Sequence, residues 1–302
     1  MQMAAHVQAS QSLESNVALQ QILFPVDFSE HCTAVADYVE AMARGSGARL
    51  ALLHVLECPP SWYSDIEAAR LSSIVDLALV KEHRQKQLNL YLESKFRHLA
   101  PLRVLSQGDA ATEIVQLAMR EGVSLIMIPT RGRGLFRRLL LGSVTAKVFH
   151  DAPCPVWTSH SEHVTPARYP CRTVACAVDL SERSVGTLQW ACQFASEQNA
   201  VMHVVHAIDV DETSTDRGIM EVRRYLEREA LEKWKSLEGK LAFKAPLCIA
   251  YGSVAAAVRK AAHDLQADVV IIGRGHLQEP LGRLRTNAYA IIRASPCPVI
   301  SV

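Results

Sequence analysis

The segment from Ile22 to Glu30 reads ILFPVDFSE, and the segment from Val174 to Glu182 reads VACAVDLSE. In each copy an apolar run ends in an aspartate, and the two aspartates, Asp27 and Asp179, lie 152 residues apart. The stretch LLHVLE at 52–57 matches VVHAID at 204–209 with the same offset of 152. Matching segments that recur at a fixed offset indicate a tandem duplication of one structural unit.

The length and composition agree with two globular domains. The chain has 302 residues, about twice the size of a common domain. A hydrophobic fraction of 49% and a net charge of +1 exclude an intrinsically disordered chain and argue against a dedicated nucleic-acid binder. We predict a poorly ordered leader over 1–19, a first domain over 20–160, a linker over 161–171 and a second domain over 172–302.

Short apolar runs alternate with longer segments of helical periodicity in both halves. The predicted strands are 22–26, 49–56, 102–106, 124–129, 154–158, 173–178, 200–208, 246–250, 268–272 and 297–302. The predicted helices are 30–44, 64–98, 110–121, 143–150, 182–197, 215–240, 253–265 and 286–294. We interpret 64–98 as an amphipathic helix packed over the sheet, and Ser29 and Ser181 as helix starts. The predicted fold is α/β, with two tandem Rossmann-like domains, each a five-stranded parallel doubly wound sheet.

Candidate ligand-binding residues follow the first and fourth strands of the first half. In an open α/β sheet, ligands bind beyond the carboxyl ends of the strands, where the winding reverses. Asp27 follows the first strand, and a glycine-containing loop follows the fourth. From Thr130 to His150 the chain has five Lys or Arg residues and no acidic residue, and a helix is predicted to begin within this stretch at about 143. Glycine amides and a helix N-terminus favour bound phosphate, so the pattern predicts an anion site.

Each of these residues also has a purely local explanation. Asp27 and Asp179 can accept hydrogen bonds from downstream amides in the turn that follows them. Ser143 is a favourable N-cap and can be explained by the start of a helix alone.

The repeat and the loop together resemble the universal stress protein family over both halves of the chain. The family's nucleotide signature is G-x2-G-x9-G-[ST] after the fourth strand, preceded by an aspartate after the first. Gly132, Gly142 and Ser143 match the last three positions, and Pro129 occupies the first. Proline has no amide hydrogen to donate, which weakens the match to a phosphate loop.

The resemblance implies an adenine nucleotide, ATP or AMP, in the first domain, with Mg²⁺ accompanying ATP. It implies that Asp27 and Val55 contact adenosine, while Gly132, Gly142 and Ser143 hold the phosphates. Further candidate binding residues are Pro25, Thr130, Asp179 and Gly273.

The second half departs further from the signature. Gly273 keeps the first glycine, but His276 stands at the second, and Thr286 and Asn287 replace the Gly-Ser pair. Ala207 stands where the first half has Val55. We therefore expect a degenerate site in the second domain.

Three functions remain open on this basis. The first is a stress-response sensor or regulator that binds an adenine nucleotide in its first domain. The second is a nucleotide-independent scaffold or interaction module, for which Pro129, His276 and the Thr286-Asn287 pair are the motivation. The third is a slow ATPase. We assign no catalytic residue and no metal ligand, because no paired nucleophile and general base is found near the glycine loop.

The remaining expectations concern location and assembly. The eight cysteines are scattered without a C-x-x-C pair, and no apolar run is long enough to span a bilayer, so we expect a cytoplasmic protein. The resemblance implies that the fifth strand of each half, at 155–158 and 298–301, pairs with a neighbouring domain. We expect a pseudo-dimer within the chain, with a homodimer and an unknown protein partner as further options, and no nucleic acid or membrane partner.

Overall fold

The computed structural model describes residues 19–57, 74–130, 141–159, 170–274 and 283–302. The strands are β1 (Gln21–Pro25), β2 (Arg49–Leu56), β3 (Leu102–Gln107), β4 (Leu125–Pro129), β5 (Val156–Ser159), β6 (Thr173–Ala177), β7 (Val201–Ile208), β8 (Leu247–Tyr251), β9 (Val269–Ile272) and β10 (Val299–Ser301). The α-helices are α1 (Glu30–Ser46), α2 (Ile74–Leu90), α3 (Glu93–Phe96), α4 (Ala110–Arg120), α5 (Ser143–Asp151), α6 (Ser184–Gln198), α7 (Arg217–Glu238), α8 (Val254–Asp264) and α9 (Arg283–Ala294). A 3₁₀ turn follows α3 at Arg97–Leu99.

The strands form one continuous ten-stranded sheet. Its order is β3-β2-β1-β4-β5-β10-β9-β6-β7-β8, so each half contributes five neighbouring strands. Pairing within each half is parallel, as the α/β prediction requires, whereas β5 and β10 pair antiparallel and join the halves. The expected pseudo-dimer is therefore built through the two short apolar strands.

Apolar side chains bury both faces of the sheet. One hydrophobic cluster extends over both halves and includes Phe24 and Trp157 from the first half and Val204 and Ile300 from the second. The opposite face carries separate clusters for the two halves, but two first-half side chains, Phe149 of α5 and Leu141, pack with the cluster of the second half. The halves thus share packing as well as strand hydrogen bonds.

The prediction of one packed helix over 64–98 is wrong in the described part of that segment. Helix α2 ends at Leu90, and Leu92 takes a left-handed conformation with a φ of 52°. The chain then continues as the short α3 and a 3₁₀ turn. Between 78 and 90 only Leu88 is buried, while Leu79 and Leu90 are 58% and 76% exposed. This part of α2 therefore packs little of its apolar surface on the sheet. Residues 64–73 lie outside the described ranges.

The two predicted helix starts have different outcomes. Ser29 caps α1, and its hydroxyl accepts a hydrogen bond from the Cys32 amide at 3.3 Å. Ser181 does not start a helix, since α6 begins at Ser184 with Arg183 as its N-cap. A membrane-spanning helix needs about 20 apolar residues, and the described ranges contain no helix that meets this requirement.

Candidate functional site

Each half has one point where the winding of the sheet reverses. In the first half it lies between β1 and β4, which are adjacent although β2 and β3 separate them in sequence. In the second half it lies between β6 and β9. The carboxyl ends of such neighbouring strands open a crevice that commonly holds a ligand. Asp27 and Thr130 flank the first crevice, and Asp179 and Gly273 flank the second.

Asp27 lies in a tight turn between β1 and α1. Its Oδ1 accepts hydrogen bonds from the Ser29 amide at 2.9 Å and from the Cys32 thiol at 3.2 Å. Phe28 takes a left-handed φ of 62°, which costs free energy in a non-glycine residue and often marks a functional turn. Burial and the Asp27 charge raise the pKa of Cys32 to about 12, so the thiol stays protonated and donates to the carboxylate.

Asp179 lies in the corresponding turn of the second half. Its Oδ1 accepts from the Ser181 amide at 2.9 Å and from the Ser184 hydroxyl at 2.7 Å. Leu180 takes a left-handed φ of 58°, like Phe28 at the equivalent position of the first half. Partial desolvation raises the pKa of Asp179, but the hydrogen bonds from Ser181 and Ser184 outweigh it, and the net shift is downward. Both turns therefore hold a carboxylate in a fixed orientation, and the local explanation and the ligand explanation of these aspartates remain compatible.

A histidine on the second strand supports each aspartate turn. The Nδ1 of His54 lies 2.7 Å from the carbonyl oxygen of Val26, and the Nδ1 of His206 lies 3.1 Å from that of Val178. Because a carbonyl can only accept, Nδ1 carries the proton in both contacts. Sequence reasoning did not assign these histidines to the site, although their 152-residue spacing in the repeat was a usable signal.

The other candidates of the first half lie at the same edge of the sheet. Pro25 is buried at the end of β1, and Val55 is half-buried near the end of the adjacent β2. Thr130 is buried just after β4, where its amide donates to the carbonyl of Ser159 at 3.1 Å. Gly132 lies outside the described residues.

Gly142 and Ser143 form the start of α5. Gly142 is the N-cap, with φ −57° and ψ 146°, and Ser143 is the first helical residue, so the N-cap explanation of Ser143 is wrong. The Gly142 amide donates to the carbonyl of Thr130 at 2.9 Å, which ties the helix start to the end of β4. The amides of Ser143, Val144 and Thr145 have no acceptor among the described residues. Unpaired amides at a helix N-terminus attract anions.

The second half has a cleft of about 460 Å³ at its switch point, lined in part by Asp179, Thr187, Gly273 and Asn287. A Cβ on Gly273 would lie 2.9 Å from Thr187 Oγ1, so any larger residue there would force the Thr187 side chain of α6 to move. This glycine therefore has a structural role that needs no phosphate. His276 lies outside the described residues.

The Asp27 carboxylate and the amides at the start of α5 can bind a ligand that carries both hydroxyl groups and an anionic group. A fixed carboxylate accepts hydrogen bonds from hydroxyl or amino groups, while helix amides donate to phosphate oxygens. In the described ranges no group of three or more His, Cys, Asp or Glu side chains is placed to hold a metal ion.

Comparisons with known proteins agree with the duplicated architecture. The model of the universal stress protein family matches residues 18–160 and 170–302. A universal stress protein of Thermus aquaticus is 33% identical over 135 residues, which are 45% of this chain and 94% of the relative. Another, from Methanocaldococcus jannaschii, is 28% identical over 153 residues, which are 47% of this chain and 94% of the relative.

A solved structure resembles the whole chain. The crystal structure of a universal stress protein from Archaeoglobus fulgidus has a TM-score of 0.63 at 21% identity, covering 95% of this chain and 97% of that one. At this identity the likeness shows the fold. Because the family model matches both halves, the chain belongs to the universal stress protein family, with two family domains in tandem.

Proposed function

We propose that the first domain binds an adenine nucleotide, ATP or AMP, and that the protein acts as a sensor or regulator in the cytoplasm. One observation carries the proposal: the oriented carboxylate of Asp27 and the start of α5, whose first amides have no acceptor among the described residues, flank the same switch point. The free cysteines of the described ranges fit a reducing compartment.

The chemistry of the donors and acceptors matches the two ends of a nucleotide. Asp27 supplies acceptor oxygens for the sugar or the base, and the half-buried Val55 supplies apolar contact. The amides of Ser143, Val144 and Thr145 supply donors for phosphate. Mg²⁺ bound together with ATP would be held chiefly by phosphate oxygens and water, since this ion rarely needs a cage of protein ligands.

These groups support binding better than turnover. Donors to an anion and an acceptor for a hydroxyl group stabilise a bound nucleotide, but neither activates a water molecule. We therefore rank the sensor above the slow ATPase. The nucleotide-independent scaffold is the outcome if the first domain binds no nucleotide.

A matched pair of variants at Gly142 tests the phosphate assignment. Asp and Asn are both good N-caps, so G142D and G142N should fold equally well, and only G142D adds a negative charge. Two unit charges about 5 Å apart interact by roughly 3 kcal/mol at an effective dielectric constant of about 20, and by under about 1 kcal/mol in bulk water. We expect ATP to bind roughly 5-fold to 200-fold more weakly to G142D than to G142N in calorimetric titration.

Two further results would change the assignment. Equal affinity of G142D and G142N would show that the start of α5 does not hold phosphate. Mass spectrometry of small molecules released from the denatured wild-type protein gives the stoichiometry: about one nucleotide per chain supports a single site in the first domain, and two would mean that the second domain also binds. A preparation that is empty and ignores added ATP favours the scaffold.

A further inference from the structure

Arg274 lies in the loop after β9, the second-half counterpart of the glycine-containing loop after β4. It follows β9 at the switch point, and its amide donates to the carbonyl of Val302 at 2.9 Å. Thr130 has the corresponding place in the first half, where its amide donates to the carbonyl of Ser159 at 3.1 Å. The two backbones therefore match, but the side chains differ in length, charge and contacts.

The Arg274 side chain crosses into the first half. Its Nη1 lies 2.8 Å from the carbonyl oxygen of Ala152 and 3.5 Å from that of Phe149, and its Nη2 lies 2.8 Å from that of Cys154. These acceptors are the C-terminal end of α5 and the residues that follow it. The Thr130 hydroxyl, at the corresponding place, donates to the carbonyl of Ser159 in its own half at 3.3 Å.

The location suits a guanidinium group. The last carbonyls of a helix lack intrahelical donors and carry partial negative charge, which favours a cation. The planar guanidinium can donate to several carbonyls at once, which an ammonium group cannot do with the same geometry. The Arg274 guanidinium is largely removed from water, and this burial lowers its pKa. Its charge therefore depends on these carbonyl contacts for stabilisation.

A second contact holds the same helix against the second half. The Tyr289 hydroxyl of α9 donates to the carbonyl of Ala146 at 3.4 Å, and its ring lies 5.4 Å from the ring of Phe149. Helix α5 is thus held by the second half along its length, while its first residue faces the switch point of the first half.

We propose that Arg274 is a positioning residue for the ligand site of the first half: it fixes the C-terminal end of α5 so that Gly142 and Ser143 are held at the switch point. The inference rests on the proposed function for the identity of the ligand. A helix of nine residues is a rod about 14 Å long, so a shift at one end moves the other. The second half's own loop thereby contributes to the site of the first.

The coupling must act in both directions. If Arg274 strengthens the binding of a ligand at the start of α5, that ligand strengthens the hold on Arg274 by the same factor. Because Arg274 also lines the cleft of the second half, occupancy of the first site would stabilise one arrangement of that cleft. This gives the second half a way to respond to a ligand bound in the first.

The test compares R274M with R259M, a control that removes the same charge from an exposed arginine of the same half. R274K is the third variant and keeps the charge without the planar group. The Gly142 amide bonds to Thr130 and the Ala146 amide bonds to Gly142, so their hydrogen exchange, followed by NMR, reports on the start of α5 without any ligand. ATP affinity is measured by calorimetry on the same full-length proteins.

We expect the Gly142 and Ala146 amides to exchange about fivefold or more faster in R274M than in R259M, while amides of α1 keep their rates. We expect ATP affinity to fall about tenfold in R274M, within the usual range of coupling between sites, and to be intermediate in R274K. Should R274M fail to fold, the same comparison is made between R274K and R259M.

Equal exchange of Gly142 and Ala146 in the Arg274 variants and in R259M would overturn the inference, whatever the ATP result. Faster exchange with unchanged ATP affinity would overturn the link to the ligand site. A wild-type protein that binds no ATP would defeat the proposed function alone, and amide exchange would still decide whether Arg274 positions the helix.

Discussion

Replacing Trp157 by alanine should weaken both halves of the protein together. Trp157 is 1% exposed, pairs with Ile300 across the β5–β10 junction and lies 5.3 Å from the ring of Tyr38. A fully buried aromatic side chain removes about 150–250 Å² from water, worth roughly 4–6 kcal/mol at about 25 cal/mol per Å². Measured losses for such truncations are about 3–5 kcal/mol, so we expect the free energy of unfolding to fall by that amount.

Urea unfolding followed by two probes measures this loss. Far-UV circular dichroism reports on the whole chain, and in W157A the remaining tryptophan fluorescence is weighted toward the second half through Trp190 and Trp234. We expect one transition with coincident curves, since the shared hydrophobic cluster makes the halves one cooperative unit. W190A is the control, because Trp190 is only half-buried and stacks on Phe194, so its truncation should cost less than that of the fully buried Trp157. Two separated transitions, or a loss below about 1 kcal/mol, would refute the reasoning.

Two further predictions concern the two aspartate turns and the second cleft. The Ser184 hydroxyl makes in the second half the contact that the Cys32 thiol makes in the first. C32S should therefore keep ATP affinity within about twofold, whereas C32A should lose about 1 kcal/mol of stability because it removes a donor to Asp27. Equal urea midpoints for C32S and C32A would contradict this. G273A should cost about 1–3 kcal/mol because its Cβ would lie 2.9 Å from Thr187 Oγ1, and adding T187A should recover most of that loss in thermal unfolding; a double variant no more stable than G273A would show that the clash is not the cause.

Much of the fold could be predicted from local sequence alone. Continuous apolar runs such as 268–272 are what strands buried on both faces require, and the observed β9 is Val269–Ile272. The pairing of β5 with β10 was expected from the family resemblance and from short apolar strands that would otherwise be exposed edges, whereas its antiparallel direction is seen only in the structure. These features are decided by residues close together in sequence or by the repeat itself.

The break after α2 could not be predicted because a distant side chain stabilises it. Arg103 on β3 donates to the carbonyl of Tyr91 at 2.8 Å and also to that of Leu88, which satisfies the end of the helix. Leu92 then takes a left-handed conformation that leucine rarely adopts. A window of sequence around residue 92 contains no glycine or proline that would indicate a helix end.

Some residues of the candidate site could be predicted from the sequence and others could not. Asp27 and Asp179 could be located because an aspartate after a buried strand falls at the carboxyl edge of the sheet by topology. Their partners, Cys32 and Ser184, are chemically different residues at equivalent positions, so similarity between the halves did not reveal them. The crossing of Arg274 depends on how the halves pair, and its hydrogen bonds to the first half join residues at least 120 positions apart.

The two halves differ in residue type and contacts at matched positions of the switch point. At the switch point the first half has Pro129 and Thr130, whereas the second has Gly273 and Arg274. The glycine admits close packing of α6, and the guanidinium group of the arginine donates its hydrogen bonds to carbonyls of the first half. Because the Arg274 guanidinium donates to carbonyls at the end of α5, it is poorly placed to bind a phosphate in the second half. The departure of the second half from the nucleotide signature is thus better explained as a gain of contact with the first half than as a simple loss of ligand.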